Sequence, residues 1–277
     1  MRKTLRKQTR KIARAGQALC EAYDAETLHG LRVAIRRIRS LLKGHGKRRT
    51  RRFRRTWGGF AHVTNRARDW DVFVERVQEQ FDAPTAERFR AASREPVEAS
   101  RRAVLEMLRS KHWKAHLEEW TAHLERRSAQ APKTPSPDSG ARSSSQLKST
   151  LAKVDAAMAL ALQGDDDDAW HRLRIAVKEA RYQAEREHGG DTEPDPREVI
   201  KTCKRLQAAL GAWHDCVVQL KLLGELEQMS PEAARLARDL RPAILQLRSQ
   251  HLAEAREQLA AQSVFGHPSS RREQQRG

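Results

Sequence analysis

Four side chains in LHGLRVAIRRIRSLLK, residues 28–43, recur at intervals of three, four and three: His29, Arg32, Arg36 and Arg39. On a helix of about 3.6 residues per turn they fall within roughly 80° of arc, along about 15 Å of axis. Leu31, Ile35, Ile38 and Leu42 take the other side. The pattern predicts an amphipathic helix with an apolar stripe facing a core and a His/Arg ladder facing out. Guanidinium groups meet anionic oxygens through paired hydrogen bonds, so the chemistry is recognition of a multiply charged anion. A single helix with an ordinary solvated basic face would look the same.

A second segment separates those readings. Residues 170–182 read WHRLRIAVKEARY, and laying His171 over His29 brings Arg174 onto Arg32, Lys178 onto Arg36 and Arg181 onto Arg39. Leu173, Ile175 and Val177 fall on Leu31, Val33 and Ile35, whereas Glu179 replaces Arg37. The repeat keeps the ladder and its apolar backing and lets a flanking position change. Self-similarity of this kind predicts two related halves, each presenting one basic ladder.

The elements around the ladders are helical throughout. Ala, Leu, Arg, Glu and Gln dominate, and alternating runs of β-branched residues are missing, so the fold class is all-α. Leu5, Ile12 and Leu19 recur every seven residues and predict a first amphipathic helix; the segment lacks the apolar centre of a secretory signal. Third helices are expected from RRTRRFRRTWGGFAHVTN and REVIKTCKRLQAALGAW, each followed by a short motif opening a fourth helix, RARDWDVFVERV and HDCVVQLKLL. In that reading Asp69 and Asp215 cap the fourth helices, and Asp165–Asp168 precede the second ladder helix, where negative charge suits the helix dipole. The domain boundaries follow: a first half over 1–127, a Pro/Ser-rich linker over 128–146, a second half over 147–263 and a disordered tail over 264–277.

A net charge of +18 and a pI of about 10.6 favour a polyanionic partner. No window of the sequence approaches the ~20 apolar residues of a membrane span. Cys20, Cys203 and Cys216 are scattered, which fits reduced thiols in a cytosolic chain better than a disulfide framework. Phosphate-binding loop, nucleophile elbow, zinc-protease and dinucleotide motifs are all missing, so a binding module is expected and catalytic residues are not. In KHWKAHLEEWTAHLE, His112, His116 and His123 share a narrow stripe; His112 and His123 are too far apart for one ion, and Trp113, Leu117, Trp120 and Leu124 explain the helix as an amphipath. No metal site is assigned.

LHGLRVAIRRIRSLL with ARDWDVF, repeated as WHRLRIAVKEARYQAE with LQAALGAWHDCVVQL, closely resembles the CHAD domain, the conserved-histidine α-helical domain, over about residues 4–263. The resemblance implies two four-helix-bundle halves related by a pseudo-twofold, with a basic central cavity. It implies binding of inorganic polyphosphate without a cofactor, a cytoplasmic location at polyphosphate granules, and polyphosphate-metabolising enzymes as partners. It assigns His29, Arg32, Arg36, Arg37 and Arg39, with His171, Arg174, Lys178 and Arg181, to the anion-binding faces, and adds Arg68 and His214 at the fourth-helix motif. Charge and phase add Arg51, Arg52 and Arg55, and Lys201, Lys204 and Arg205, on the third helices. Two positions depart from the family pattern: Thr64-Asn65 stands where Leu-Gly is expected, and Lys178-Glu179 replaces a more usual basic pair. Nucleic acid is the rival polyanion, and aromatics at 5% offer it few stacking platforms.

Overall fold

The computed structural model describes residues 2–43, 47–129, 139–185 and 195–260, with side chains given except at 127–129 and 139–144. The described residues form nine helices and no strand: α1 (Arg2–Glu21), α2 (Ala25–Leu42), α3 (Arg48–Gln80), α4 (Ala83–Arg109), α5 (Lys111–Ala129), α6 (Ser139–Ala161), α7 (Asp167–Ala184), α8 (Pro196–Leu226) and α9 (Pro231–Ala260). The all-α reading therefore holds. The chain divides into two compact units, Met1–Lys133 with Glu225–Ala237 and Thr134–Gly224 with Arg238–Gly277.

In the first unit, α2 packs on both α1 and α3. Leu5, Ile12 and Leu19 of α1 are buried, as their seven-residue spacing predicts. They meet Leu31, Ile35 and Ile38 of α2, Phe53 and Trp57 of α3, and Trp113 and Trp120 of α5 in one core. The Trp120 indole N–H donates to Thr9 Oγ1 at 2.8 Å, and that hydroxyl donates to Leu5 O at 2.9 Å, so neither polar group is stranded inside.

The second unit buries Leu147, Leu151 and Val154 of α6, Trp170, Leu173 and Val177 of α7, Cys203, Leu206 and Trp213 of α8, and Leu252, Ala255 and Leu259 of α9. Before α7, Asp166 accepts from the backbone N–H groups of Asp168 and Ala169, the cap that an acidic run at this place predicts. Its neighbours are tied to α9: Asp165 pairs with Arg256, and Asp167 with Arg248.

One expectation is corrected. The third and fourth helices of each half are a single helix, α3 with 33 residues and α8 with 31, so Asp69 and Asp215 lie mid-helix and cap nothing. An Asn or a Gly inside a helix costs only about 1 kcal/mol against alanine. The buried stripe runs through both positions in phase, Trp57, Phe60, Thr64, Ala67 and Trp70 on α3 and Leu206, Leu210, Trp213 and Cys216 on α8, and its burial outweighs that cost. Of the expected linker over 128–146, residues 130–138 lie outside the described residues, and 139–146 are the first turns of α6. The expected tail over 264–277 also lies outside them. Cys203 and Cys216 are buried and Cys20 half-buried, all three as free thiols.

Candidate functional site

In the first unit the ladder starts from a firm cap. Asp24 accepts from the Thr27 backbone N–H at 2.7 Å, which sets the phase of α2 and puts His29 just beyond its first turn. Arg32 is half-buried against α3. Its Nη1 donates to Asn65 Oδ1 at 2.8 Å and to Thr64 Oγ1 at 2.9 Å, with Ala61 O at 3.4 Å. Two turns on, the Arg39 guanidinium lies across Gly58; a Cβ there would sit 3.3 Å from Nη2 and 3.5 Å from Nε. Arg36, between them, is exposed.

Burial and crowding of like charge shape this row. Burial first, and then Arg68, with Arg36 and Arg32, lower the His29 pKa against an opposing effect of Glu26. Burial lowers that of Arg32, with Asp69 opposing and Arg36 and Arg68 assisting. Arg39 is lowered by burial and by Arg54. The α3 stripe beneath the ladder is therefore Arg54, Gly58, Ala61, Asn65 and Arg68, within about 80° of arc. A row of cations fixed beside other cations is held at an energetic disadvantage that an anion relieves.

In the second unit the residues aligned with the ladder have different partners. Arg181 Nη1 donates to Gln207 Oε1 at 2.7 Å, and Gln207 Nε2 donates to Val177 O at 3.4 Å, tying α7 to α8. Arg181 Nε also lies 3.2 Å from Glu185, so part of its charge is answered at the C-terminal end of α7. His171 and His214 face each other with ring centroids 5.1 Å apart. Burial, then Arg174 and Lys178, lowers the His171 pKa against Asp168. Burial, then Arg174, His171 and Lys178, pushes His214 down to about 3. Where the first unit has the permanent cation Arg68 beside its ladder histidine, the second has a neutral imidazole.

The other residues expected at the site are dispersed. Arg37 points about 80° around α2 from His29, off the ladder. Arg51, Arg52 and Arg55 line a recess at the start of α3 together with Arg48, Arg49 and Glu119. Arg52 lies about 160° around α3 from Arg68 and belongs to the α5 side. Lys201, Lys204 and Arg205 are exposed, Lys201 beside Glu198 at 3.8 Å. Arg205 is about 180° around α8 from His214. Sequence reasoning missed Arg54, Gly58 and Gln207; for Arg54 the signal was there, since it shares the phase of Arg68 on α3.

The histidine stripe of α5 is a packing seam. His116 is buried, with Trp57 at 4.6 Å, Phe60 at 5.3 Å and Phe53 at 5.6 Å between ring centroids. Burial, then His112 and Arg52 against Glu119, lowers its pKa to about 4. Among the described residues no group of three His, Cys, Asp or Glu side chains is placed to hold a metal ion. No described helix is long and apolar enough to cross a membrane.

Comparison with known proteins agrees with this architecture. The family model of the CHAD domain matches residues 3–224. The crystal structure of the CHAD domain from the plant Ricinus communis is similar, with a TM-score of 0.74 and 26% identity over 95% of this chain and 91% of that one. PptA from Streptomyces chartreusis shares the fold, with a TM-score of 0.64 and 15% identity over 92% of this chain and 96% of that one. No curated protein matches the chain.

Proposed function

The chain belongs to the CHAD domain family, and from that premise we propose that it binds inorganic polyphosphate without turning it over. The ladders would be the contact surfaces: His29, Arg32, Arg36 and Arg39 with Arg68 in one unit, and His171, Arg174, Lys178 and Arg181 with His214 in the other. The observation that carries this reading is the fixing of Arg32 and Arg39 against α3. Arg32 uses one nitrogen on Thr64 and Asn65, and Arg39 lies flat on Gly58, which keeps both guanidiniums on one strip. A condensed phosphate chain presents evenly repeated anionic oxygens and no bases, and a strip of fixed cations suits it. Binding of this kind recruits the protein to polyphosphate granules and to the enzymes that work on them.

Nucleic acid is the alternative that net charge alone would allow, and the aromatic side chains argue against it. Trp57, Trp70, Trp120, Trp170 and Trp213 are fully buried and offer no surface for base stacking. The test is competition of long polyphosphate against RNA and DNA of matched charge, repeated with Arg32, Arg36, Arg174 and Lys178 changed to glutamate. Polyphosphate should win in the unaltered protein and lose its advantage in the variant. Equal competition by RNA in the unaltered protein would favour a general polyanion binder. Phosphate released during incubation would favour an enzyme.

A further inference from the structure

The cations at the start of α3 do not all belong to the ladder. Arg48, Arg49, Arg51, Arg52 and Arg55 line a recess of about 730 Å³ together with Glu119 of α5, the one acid among the described lining residues. That volume lies within the range of small-ligand sites, about 300–1,000 Å³. Arg49 Nη2 is 3.4 Å from Glu119 Oε1, and Arg52 pairs with the same oxygen. One carboxylate thus answers two guanidiniums, and among the described lining residues the other three arginines have no acid of their own.

The recess faces away from α2. Arg39 lies on Gly58 and Arg32 on Thr64 and Asn65, so the ladder occupies one side of α3. Arg49 and Arg52 reach Glu119 from the other side, about 140° and 160° around the helix from Arg54. The aromatic rings nearby give no stacking face: Phe53 and Trp57 are fully buried beneath the arginines. The lining is guanidinium and carboxylate, which selects for charge density and for oxygens that accept paired hydrogen bonds.

We propose that this recess is a second anion site of the first unit, separate from the ladder, which takes a short condensed phosphate or the end of a longer one. Glu119 is its built-in competitor, released from Arg49 and Arg52 when the phosphate enters. The ligand chemistry rests on the polyphosphate reading above; the location does not. Two cationic surfaces on opposite sides of α3 also give a long chain a second point of attachment, which raises its apparent affinity through local concentration.

Tripolyphosphate, titrated calorimetrically into the full chain, tests the idea. A ladder variant (Arg32→Gln, Arg36→Gln, Arg174→Gln and Lys178→Gln) should still bind one equivalent. Adding Arg49→Gln and Arg52→Gln should weaken that remaining site at least tenfold. Glu119→Gln alone should tighten it severalfold, and this variant removes no cation, so a folding defect cannot imitate the gain. The recess is ruled out if the ladder variant binds no tripolyphosphate, if the recess substitutions leave its binding unchanged, or if Glu119→Gln weakens it. Failure of the ladder reading looks different: the ladder variant would then hold long polyphosphate as tightly as the unaltered chain.

Discussion

Tyr23 donates its phenolic hydrogen to Asp71 Oδ2 at 2.7 Å, joining the turn before α2 to α3 across 48 residues of sequence. Arg101 of α4 donates to the other oxygen, Oδ1, at 2.8 Å and stacks over the Tyr23 ring at 4.6 Å. Burial and then Asp71 raise the Tyr23 pKa, so the phenol stays a donor throughout the neutral range. This three-way clamp fixes where α2 begins, and with it the direction in which the ladder faces.

The clamp predicts a stability cost. The Asp71 side chain is only 1% exposed, whereas Arg101 is 38% exposed and can recover water. Asp71→Ala should therefore destabilise the chain by about 2–3 kcal/mol, less than for a fully buried ion pair. Urea unfolding followed by tryptophan fluorescence measures it. A loss under 0.5 kcal/mol, on the order of an ordinary surface change, would mean the clamp holds nothing.

Pre-organisation of Arg32 predicts a binding cost. Thr64 and Asn65 occupy one nitrogen of the guanidinium and leave the remaining donors for a ligand. Thr64→Val with Asn65→Ala frees the side chain, and ordering a long side chain on binding costs about 1 kcal/mol. Long polyphosphate should bind about fivefold more weakly under conditions where the variant is fully folded. Tighter binding would show that the two residues compete with the ligand.

These two clusters show how much the sequence could disclose. The ladder was legible because helical periodicity acts within one segment, and its duplication at His171 removed the ambiguity of a single basic face. The buried faces of α1 and α2 followed from the same periodicity. The Tyr23–Asp71–Arg101 clamp was not legible, because its members lie on three elements and meet only through tertiary packing. The departure at Thr64-Asn65 was visible as a difference, but its use as the seat of Arg32 depended on the register of α2 against α3. Helix length failed for a third reason: local breakers such as Gly211 predicted an end where continuous burial carried α8 onward.

The ladder histidines predict a pH-dependent affinity. In the free protein His29 faces Arg68, Arg36, Arg32 and Glu26, while His171 and His214 face each other, Arg174, Lys178 and Asp168. All three pKa values lie below the usual 6.5. A bound polyanion raises them, so binding takes up protons, and affinity falls as pH rises through the values of the complex. Each unit of upward shift corresponds to about tenfold in affinity. Titrations from pH 5.5 to 8 should show this decline, and the triple change of His29, His171 and His214 to glutamine should flatten it. A level profile in the unaltered chain would remove the histidines from the binding step.

His116 predicts the acid limb of stability in the first unit. Its pKa is about 4 in the folded chain against 6.5 when exposed, because burial among Phe53, Trp57 and Phe60 disfavours the imidazolium. Above pH 6.5 the ring is neutral in both states and the residue adds no pH dependence. Between 6.5 and 4 the unfolded chain binds a proton that the folded chain does not, so stability falls as pH falls, by about 2 kcal/mol at pH 5. His116→Leu removes the titrating group while keeping an apolar side chain in the seam. The stability lost between pH 7 and pH 5 should therefore be about 2 kcal/mol smaller in the variant than in the unaltered chain, whatever the absolute stability of each. Equal losses in the two proteins would mean that the ring gains its proton without unfolding, through an opening of the α3–α5 seam.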